Sequence, residues 1–406
     1  MDVTVARTTY GPLLRAADVV AALGARVGVF PRRLDARAVR ERAMAITGLS
    51  DFGEDDLEEP MGVAIATAES RDLTALGRVI VERAIVQAAV TRLRLVERER
   101  AGPLPEVRAP IFVLGFPRTG TTLLHNLLAQ HPSRRALAFW ELTTPMPVLD
   151  DPATDERARM RTAEQMLRAA YLATPELAVI HATRATTAEE CWPLFAPSFA
   201  VLNWDLGMGL EAYGDWLMAH DMRGAYRRYR KLLGALLEQR PADGLVLKCP
   251  EHLWFLDALL DVFPDGRVVW THRDPFPVIA SYCSMMSLQW RSLYGRFDPV
   301  ALGRHIEDRL VEGVERALRV RDEVGEDHFH DVRFADLARD PVAAVAGIER
   351  AFGGEPTDPA LLERFLAVKR SDGRGRHVYD PAMYGLDEGR IRERLAVYTE
   401  RFGIGR

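Results

Sequence analysis

The chain of 406 residues has very few lysines and cysteines. Only Lys231, Lys248 and Lys369 are lysines, and the other 50 of its 53 basic side chains are arginines. This skew is typical of a GC-rich bacterial genome, in which a retained lysine hints that a compact ammonium group is needed at that position. The three cysteines are odd in number and lack metal-ligand spacing, which predicts reduced thiols rather than a disulfide framework or a zinc site.

The sequence also lacks a net positive charge and a long apolar run. A formal net charge of -5 argues against general binding to nucleic acid or to an anionic membrane. No stretch of about 18 apolar residues predicts a membrane span. The N-terminus has an acidic residue at position 2 and no uninterrupted apolar segment, so we expect no secretion signal. The sequence therefore predicts a cytoplasmic protein that acts on a partner other than nucleic acid.

The pattern of apolar residues changes near residue 105. Residues 1–105 have apolar side chains at spacings of three and four, which predicts a helical N-terminal extension. This part ends at a segment rich in glycine and proline, AGPLPEVRAP. Residues 106–406 are therefore assigned to a second domain.

Short apolar strands alternate with helices in this second domain. The predicted strands are PIFVLG, LVLK (245–248), RVVWTH (267–272) and DVRF (331–334). This alternation predicts an α/β fold with a P-loop-like parallel sheet flanked by helices. Residues 150–240 predict a helical insert that caps an acceptor site, and residues 341–406 predict a helical tail with a basic lid loop.

The segment Gly115–Thr122, GFPRTGTT, lies between the first strand and a helix. It has the skeleton of a phosphate-binding loop, G-x-x-x-x-G-K-[ST], but Thr121 replaces the lysine. A turn of this kind presents backbone N–H groups and the positive end of a helix dipole to an anion. Arg118 can supply the missing charge and can bind phosphate or sulfate through two hydrogen bonds.

The sequence PRTGTTLL followed by QHP resembles the 5′-phosphosulfate-binding loop of sulfotransferases that use PAPS (3′-phosphoadenosine-5′-phosphosulfate). It is similar to the tyrosylprotein and bacterial branches of that superfamily. The resemblance implies that the donor's 5′ end is bound by Arg118, Thr119, Gly120, Thr121 and Thr122.

Three later segments support the same resemblance. RVVWTHRDPFPVIASY supplies Arg273 and Ser281 at the spacing of the family's arginine–serine pair, which grips the 3′-phosphate. A late basic loop with Arg374 and Arg376 resembles the family's C-terminal lid. DVRFADL resembles a V-R-Y-E-D-L segment near the nucleotide, but Phe334 replaces the tyrosine, so a hydroxyl contact is lost there.

LVLKCPEHL places Lys248 at the carboxyl edge of the sheet, where an open α/β sheet binds its ligand. The resemblance implies that this lysine neutralises the leaving oxygen. Kinases neutralise a triphosphate with a loop lysine and Mg²⁺, whereas a sulfuryl group with one negative charge could be transferred without a metal. We therefore expect a metal-independent, in-line transfer from PAPS to a hydroxyl of a small or lipid-like acceptor.

The sequence leaves the general base open. Glu141, in ALAFWELTTPMP, approximately matches a catalytic glutamate of the tyrosylprotein branch, and His252 follows Lys248 by four residues. Glu189 and Glu190 could orient an acceptor, but an exposed helix face is the favoured interpretation. The aromatic-rich part of the insert is either an acceptor pocket or a packing surface.

Two other functions stay open at this point, as does the oligomeric state. A P-loop phosphotransferase is disfavoured by the absent lysine, and by the lack of an obvious strand ending in a Mg²⁺-binding aspartate. A non-catalytic, nucleotide-binding interaction protein would use the helical extension as its working surface.

Overall fold

A computed structural model describes residues 3–4, 9–54, 57–371 and 377–404. Arg374 and Arg376 of the predicted lid lie outside these residues. The strands are β1 (Val3–Thr4), β2 (Ile111–Gly115), β3 (Arg134–Arg135), β4 (Gly244–Lys248), β5 (Arg267–His272), β6 (Phe329–Arg333) and β7 (His377–Val378).

Strands β2 to β6 form one parallel sheet in the order β3-β4-β2-β5-β6. β1 and β7 form a separate parallel pair. The four predicted strands are all present, which confirms the α/β fold with a parallel sheet. The fourth ends at Arg333, one residue earlier than predicted, because Phe334 begins a helix. β3 was not predicted, since two arginines carry no apolar strand pattern.

Helices flank the sheet on both faces. Three of those within the described ranges are short 3-10 helices, at Trp192–Ser198, Pro250–Phe255 and Pro381–Tyr384. The α-helices are α1 (Pro12–Arg26), α2 (Ala36–Thr47), α3 (Glu58–Ser70), α4 (Ala75–Arg100), α5 (Thr121–Leu128), α6 (Phe139–Thr143), α7 (Pro152–Ala173), α8 (Leu177–Ile180), α9 (Leu202–Leu206), α10 (Glu211–Ala219), α11 (Arg223–Gln239), α12 (Leu256–Val262), α13 (Pro275–Tyr294), α14 (Pro299–Val324), α15 (Phe334–Arg339), α16 (Pro341–Ala351), α17 (Pro359–Ser371), α18 (Glu388–Arg394) and α19 (Ala396–Arg401).

One apolar core joins the N-terminal helices, the insert and one face of the sheet. Helix α4 packs so closely on α13 that a side chain at Gly77 would collide with the backbone of Leu293. From the same helix, the buried Arg92 donates to the carbonyl of Pro197 at 3.3 Å. The change of pattern near residue 105 therefore does not separate two apolar cores. Of the helices within the described ranges, none is long and apolar enough to cross a membrane.

Candidate functional site

The loop after β2 is built around backbone conformations that glycine favours. Gly115 ends the strand with φ 137°, and a side chain there would lie 2.5 Å from the Thr271 hydroxyl of β5. Gly120, with φ 91°, is the residue before α5, and Arg118 between them also has a positive φ of 69°. This turn leads directly into the first turn of α5, whose N–H groups have no partners within the helix. The loop thus has the geometry of an anion-binding turn.

The three threonines of the loop have different environments. Thr119 is fully buried, and its hydroxyl donates to the Phe116 carbonyl and lies 2.6 Å from the Thr271 hydroxyl. Thr119 therefore braces the loop against β5 through its side chain. Thr121 is buried in the first turn of α5. Thr122 is half-buried, and its hydroxyl lies 3.5 Å from the ammonium of Lys248.

Lys248 is at the centre of a charged cluster beside this loop. Its side chain is completely buried, and its Nζ donates to Glu190 at 3.0 Å and to Glu189 at 3.4 Å. Burial opposes the charged form, but the two carboxylates outweigh it, so the pKa of Lys248 is raised. The lysine therefore stays protonated at neutral pH, with its charge held next to the loop hydroxyl.

Glu189 is fixed by several partners. One of its oxygens accepts from the Thr183 hydroxyl at 2.7 Å and lies 2.6 Å from His181 Nε2. Burial alone would raise the pKa of Glu189, but Lys248 and His181 lower it, so this carboxylate remains ionised. Glu189 therefore acts as a fixed negative charge that holds Lys248 in place.

Glu190 is the freer of the two carboxylates and faces a small apolar cavity. Its side chain is 25% exposed, compared with 11% for Glu189. The cavity has room for about one water molecule. The residues that line it are Pro117, Glu190, Trp192, Asn203, Leu206, Pro250, Glu251, Trp254, Tyr282 and Leu310.

The expectation that Glu189 and Glu190 lie on an exposed helix face is wrong. They lie in an irregular segment that forms a bridge between Ala188 and Ala138 and then bonds Cys191 N to the Lys248 carbonyl at 3.0 Å. These bonds draw the segment alongside β4. Such long-range pairing has no local sequence signal, although the two adjacent acids before CWP do suggest a role in orienting an acceptor.

A second cavity, of about 410 Å³, borders the loop at Arg118. Its polar lining consists of Arg118, Arg273, Ser281, His377 and Tyr379. Burial and the neighbouring Arg273 lower the pKa of Arg118. Because the two guanidinium groups repel each other, an anion between them would be strongly favoured. The structure thus brings together three residues predicted to bind the donor.

Two of these residues are held by neighbours from distant parts of the chain. Arg273 donates to the Arg118 carbonyl at 2.8 Å, and its guanidinium lies 4.2 Å from the centre of the Phe334 ring. Ser281 lies 3.4 Å from His377 Nδ1. Phe334, which replaces the family's tyrosine, therefore supports the arginine through its ring.

Glu141 is not one of the described residues that line either of these two cavities. Its side chain is 2% exposed, accepts from Ala138 N at 2.9 Å and pairs with Arg135 at 2.7 Å. A second arginine, Arg240, lies 3.7 Å away. Glu141 therefore caps its own short helix and pairs with the half-buried Arg135 and the exposed Arg240, and these contacts indicate a structural role.

His252 is likewise enclosed. It is fully buried, its Nδ1 lies 2.9 Å from the Tyr226 hydroxyl, and its Nε2 lies 3.5 Å from Cys191 Sγ. Its ring also makes edge contacts with Phe112 and Phe195. His252 thus belongs to an aromatic core under the sheet edge, as does most of the aromatic-rich insert segment.

A third and larger cavity, of about 830 Å³, is lined by the linker after α4 and by α11. The side chains predicted for the site are absent from its described lining. Two basic side chains in this lining are paired with carboxylates: Lys231 lies 3.0 Å from Glu99, and Arg230 lies 3.9 Å from Glu106. Within the described ranges, no group of His, Cys, Asp or Glu side chains could hold a metal ion.

Comparison with known proteins is consistent with this geometry. A family model described as "Sulfotransferase family" matches residues 110–359. Omega-hydroxy-beta-dihydromenaquinone-9 sulfotransferase Stf3 of Mycobacterium bovis is 25% identical over 254 residues. That match covers 57% of this chain and only 59% of the relative's length.

Solved structures are similar over more of the chain. Sulfotransferase STF9 from Mycobacterium avium has a TM-score of 0.82 and 27% identity, covering 93% of this chain and 98% of that chain. STF1 from Mycobacterium tuberculosis has a TM-score of 0.78 and 29% identity, covering 90% and 99%. The similarity to tyrosylprotein sulfotransferases stays a prediction. The family match spans the loop, Lys248 and the arginine–serine pair, and the chain belongs to the sulfotransferase family.

Proposed function

We propose that this protein transfers the sulfuryl group of PAPS to a hydroxyl of a lipid-like or small apolar acceptor, without a metal ion. The observation that carries the proposal is the position of Lys248. Its buried ammonium lies between the loop hydroxyl of Thr122 and the carboxylates of Glu189 and Glu190. A fixed cation at this point would stabilise the charge that develops on the leaving oxygen.

The donor would be bound on the loop side of this cluster. The guanidinium groups of Arg118 and Arg273, with the Ser281 hydroxyl, suit the 3′-phosphate, because they line one cavity. Arg118 is thereby proposed for the 3′-phosphate rather than for the 5′ end that the resemblance implies. The first turn of α5 would bind the 5′ end through the backbone of Gly120, Thr121 and Thr122. His377 adds a further polar group to the phosphate cavity. The contribution of the lid arginines beyond the described residues stays a prediction.

We propose Glu190, in place of Glu141 or His252, as the general base. Its carboxylate is partly exposed, faces the apolar cavity and lies 3.0 Å from Lys248. In the proposed step the acceptor hydroxyl loses its proton to Glu190 while its oxygen forms a bond to sulfur. The bond between sulfur and the phosphate oxygen breaks, and that oxygen leaves with the electron pair as PAP (3′-phosphoadenosine-5′-phosphate). Lys248 lies beside the proposed base and the loop hydroxyl of Thr122, so it would also lie beside the leaving oxygen of a donor bound at the loop, as an in-line transfer requires.

The cavity beside Glu190 supports an apolar acceptor. Its lining is mostly aromatic and aliphatic, including Trp192, Leu206, Trp254 and Tyr282. The relative Stf3 acts, by its name, on a hydroxylated dihydromenaquinone. Since the cavity holds only about one water molecule, an acceptor would have to displace some of these side chains.

A ligand-dependent shift in melting temperature tests the proposal. PAP at micromolar concentration should raise the melting temperature, because a ligand that binds only the folded state stabilises it by mass action. ATP with Mg²⁺ should have little effect. A shift with ATP and Mg²⁺ but none with PAP would exclude sulfuryl transfer from PAPS and favour a phosphotransferase.

A further inference from the structure

Helix α1 exposes an apolar stripe where a surface helix normally has polar residues. Leu13 is 60% exposed, Val20 62%, Leu23 54% and Val27 76%. These positions are separated by seven, three and four residues, so they lie along one side of the helix. The opposite side, with Leu14 and Ala21, is buried. The outward face of α1 is thus as apolar as the inward one.

The charged residues of the segment that carries this stripe are mostly basic. Between Tyr10 and Leu34 the sequence has four arginines and a single acid, Asp18. Asp18 faces inward, where it accepts a hydrogen bond from Leu76 N at 2.8 Å. Arg15 and Arg26 are exposed on α1, on the flank of the stripe. Arg33 lies 3.5 Å from Glu69, so the segment has an excess of positive charge that Arg15, Arg26 and Arg32 supply, although the chain as a whole carries a net charge of -5.

The end of the stripe is held in a defined turn. Val29 N donates to the Gly24 carbonyl at 2.8 Å, and Arg32 donates to the Ala25 carbonyl at the same distance. A side chain at Gly24 would collide with the ring of Phe30, which packs back onto the helix. Val27 and Val29, at 76% and 64% exposed, are therefore presented by an ordered turn.

Neighbouring elements connect this surface to the candidate site. Tyr10 N, just before α1, donates to the Gly295 carbonyl at the end of α13, the helix that carries Ser281. Helix α7 contacts both α1 and α8. The last residue of α8, Ile180, accepts a hydrogen bond from Arg118 at 3.2 Å. The stripe and the donor-binding residues thus belong to one packed set of helices.

We propose that the outer face of α1 docks the enzyme onto the surface of a membrane containing anionic lipids. An amphipathic helix with apolar residues on one face and arginines at its flank is suited to lie in the interface of a bilayer, and anionic headgroups complement the arginines. A second copy of this chain is disfavoured as occupant, because two such faces would bring like charges together. This inference rests partly on the proposed function, since a lipid-like acceptor would be delivered from such a surface. The proposal departs from the expectation drawn from net charge, because residues 10–34 are basic although the whole chain is acidic.

Flotation of the full chain with vesicles tests the docking surface. Vesicles of equal parts phosphatidylcholine and phosphatidylglycerol should carry the wild type, whereas vesicles of phosphatidylcholine alone should carry much less. Leu23→Asp should lower the bound fraction at least tenfold. Val397→Asp is a matched control, because Val397 is 70% exposed on α19, away from this face. That variant should bind as the wild type does.

Several outcomes would overturn the docking proposal. One is a Leu23→Asp protein that floats like the wild type. Another is a wild-type protein that binds neither kind of vesicle and is a dimer by light scattering, if the Leu23→Asp variant is then a monomer. The PAP-dependent melting shift, measured on the same samples, reports separately on the proposed function. A normal shift without vesicle binding refutes only the docking, and vesicle binding without a shift refutes only the sulfotransfer from PAPS.

Discussion

Replacing Glu190 by glutamine should remove the proton acceptor and leave the fold intact. The amide has nearly the same shape as the carboxylate but cannot accept the proton of the acceptor hydroxyl. General base catalysis typically contributes about 10²- to 10⁴-fold in rate, or about 3 to 5 kcal/mol of barrier. We therefore expect turnover to fall by at least about a hundredfold, with affinity for PAP changed little.

The neighbouring lysine should stay charged in this variant. Glu189 remains 3.4 Å from the Lys248 ammonium and, at an effective dielectric constant of about 20, still contributes about 5 kcal/mol. The loss of turnover in Glu190→Gln would thus report on the base rather than on a deprotonated lysine.

The assay is the transfer of radiolabelled sulfur from PAPS to a panel of long-chain alcohols, phenols and hydroxylated quinones. Glu141→Gln is the matched control. It should keep turnover but unfold at a temperature lower by several degrees, because it leaves Arg135 poorly paired in a buried site, at a cost of about 3 kcal/mol. The reasoning is refuted if Glu190→Gln keeps more than about a third of the wild-type turnover, or if Glu141→Gln is the inactive variant at full stability.

Other residues give further expectations. Lys248→Ala should lose far more turnover than PAP affinity, and equal losses in kinetics and titration would make it only a donor ligand. Arg273→Ala should weaken PAP binding by about 10- to 100-fold in calorimetry, since a charge-assisted hydrogen bond is worth about 1.5 to 3 kcal/mol; unchanged affinity would remove it from the donor site. Burial raises the pKa of Glu251 to about 8. Its neutral form therefore contributes stability below about pH 4.5 that is lost as pH rises toward about 8. The melting temperature should fall across that window in the wild type and less in Glu251→Gln, and equal slopes would contradict this account.

The sequence was sufficient for the fold and for placing Arg118, Arg273 and Ser281, the residues proposed to bind the donor, at one cavity. Alternating strands and helices predict the parallel sheet, and the spacing between Arg273 and Ser281 reflects one strand and the helix that follows it. Lys248 is predictable for the same reason, because it ends a strand next to the loop. These features are local in sequence, so their geometry follows from the elements that carry them.

The acceptor side could not be predicted in the same way. Glu190 reaches Lys248 only because its segment is bonded to the end of β4, across 58 residues of sequence. Glu141 is a candidate base from the sequence because its position along the chain approximates a family pattern, yet in space it pairs with Arg135. Long-range pairing and buried ion pairs of this kind leave no periodic signal in the sequence. The exposure of the apolar face of α1 could not be predicted for a different reason, because the spacing of apolar residues does not show which face of a helix is buried.

A crystal structure with bound PAP tests the central claim most directly. The account predicts the 3′-phosphate within hydrogen-bond distance of Arg273 and Ser281, and the 5′-phosphate at the first turn of α5 beside Lys248. Glu190 should then face the space opposite the 5′-phosphate, where the acceptor hydroxyl would lie. PAP bound instead in the cavity beside Leu104 and Lys231, or a 5′-phosphate far from Lys248, would contradict it.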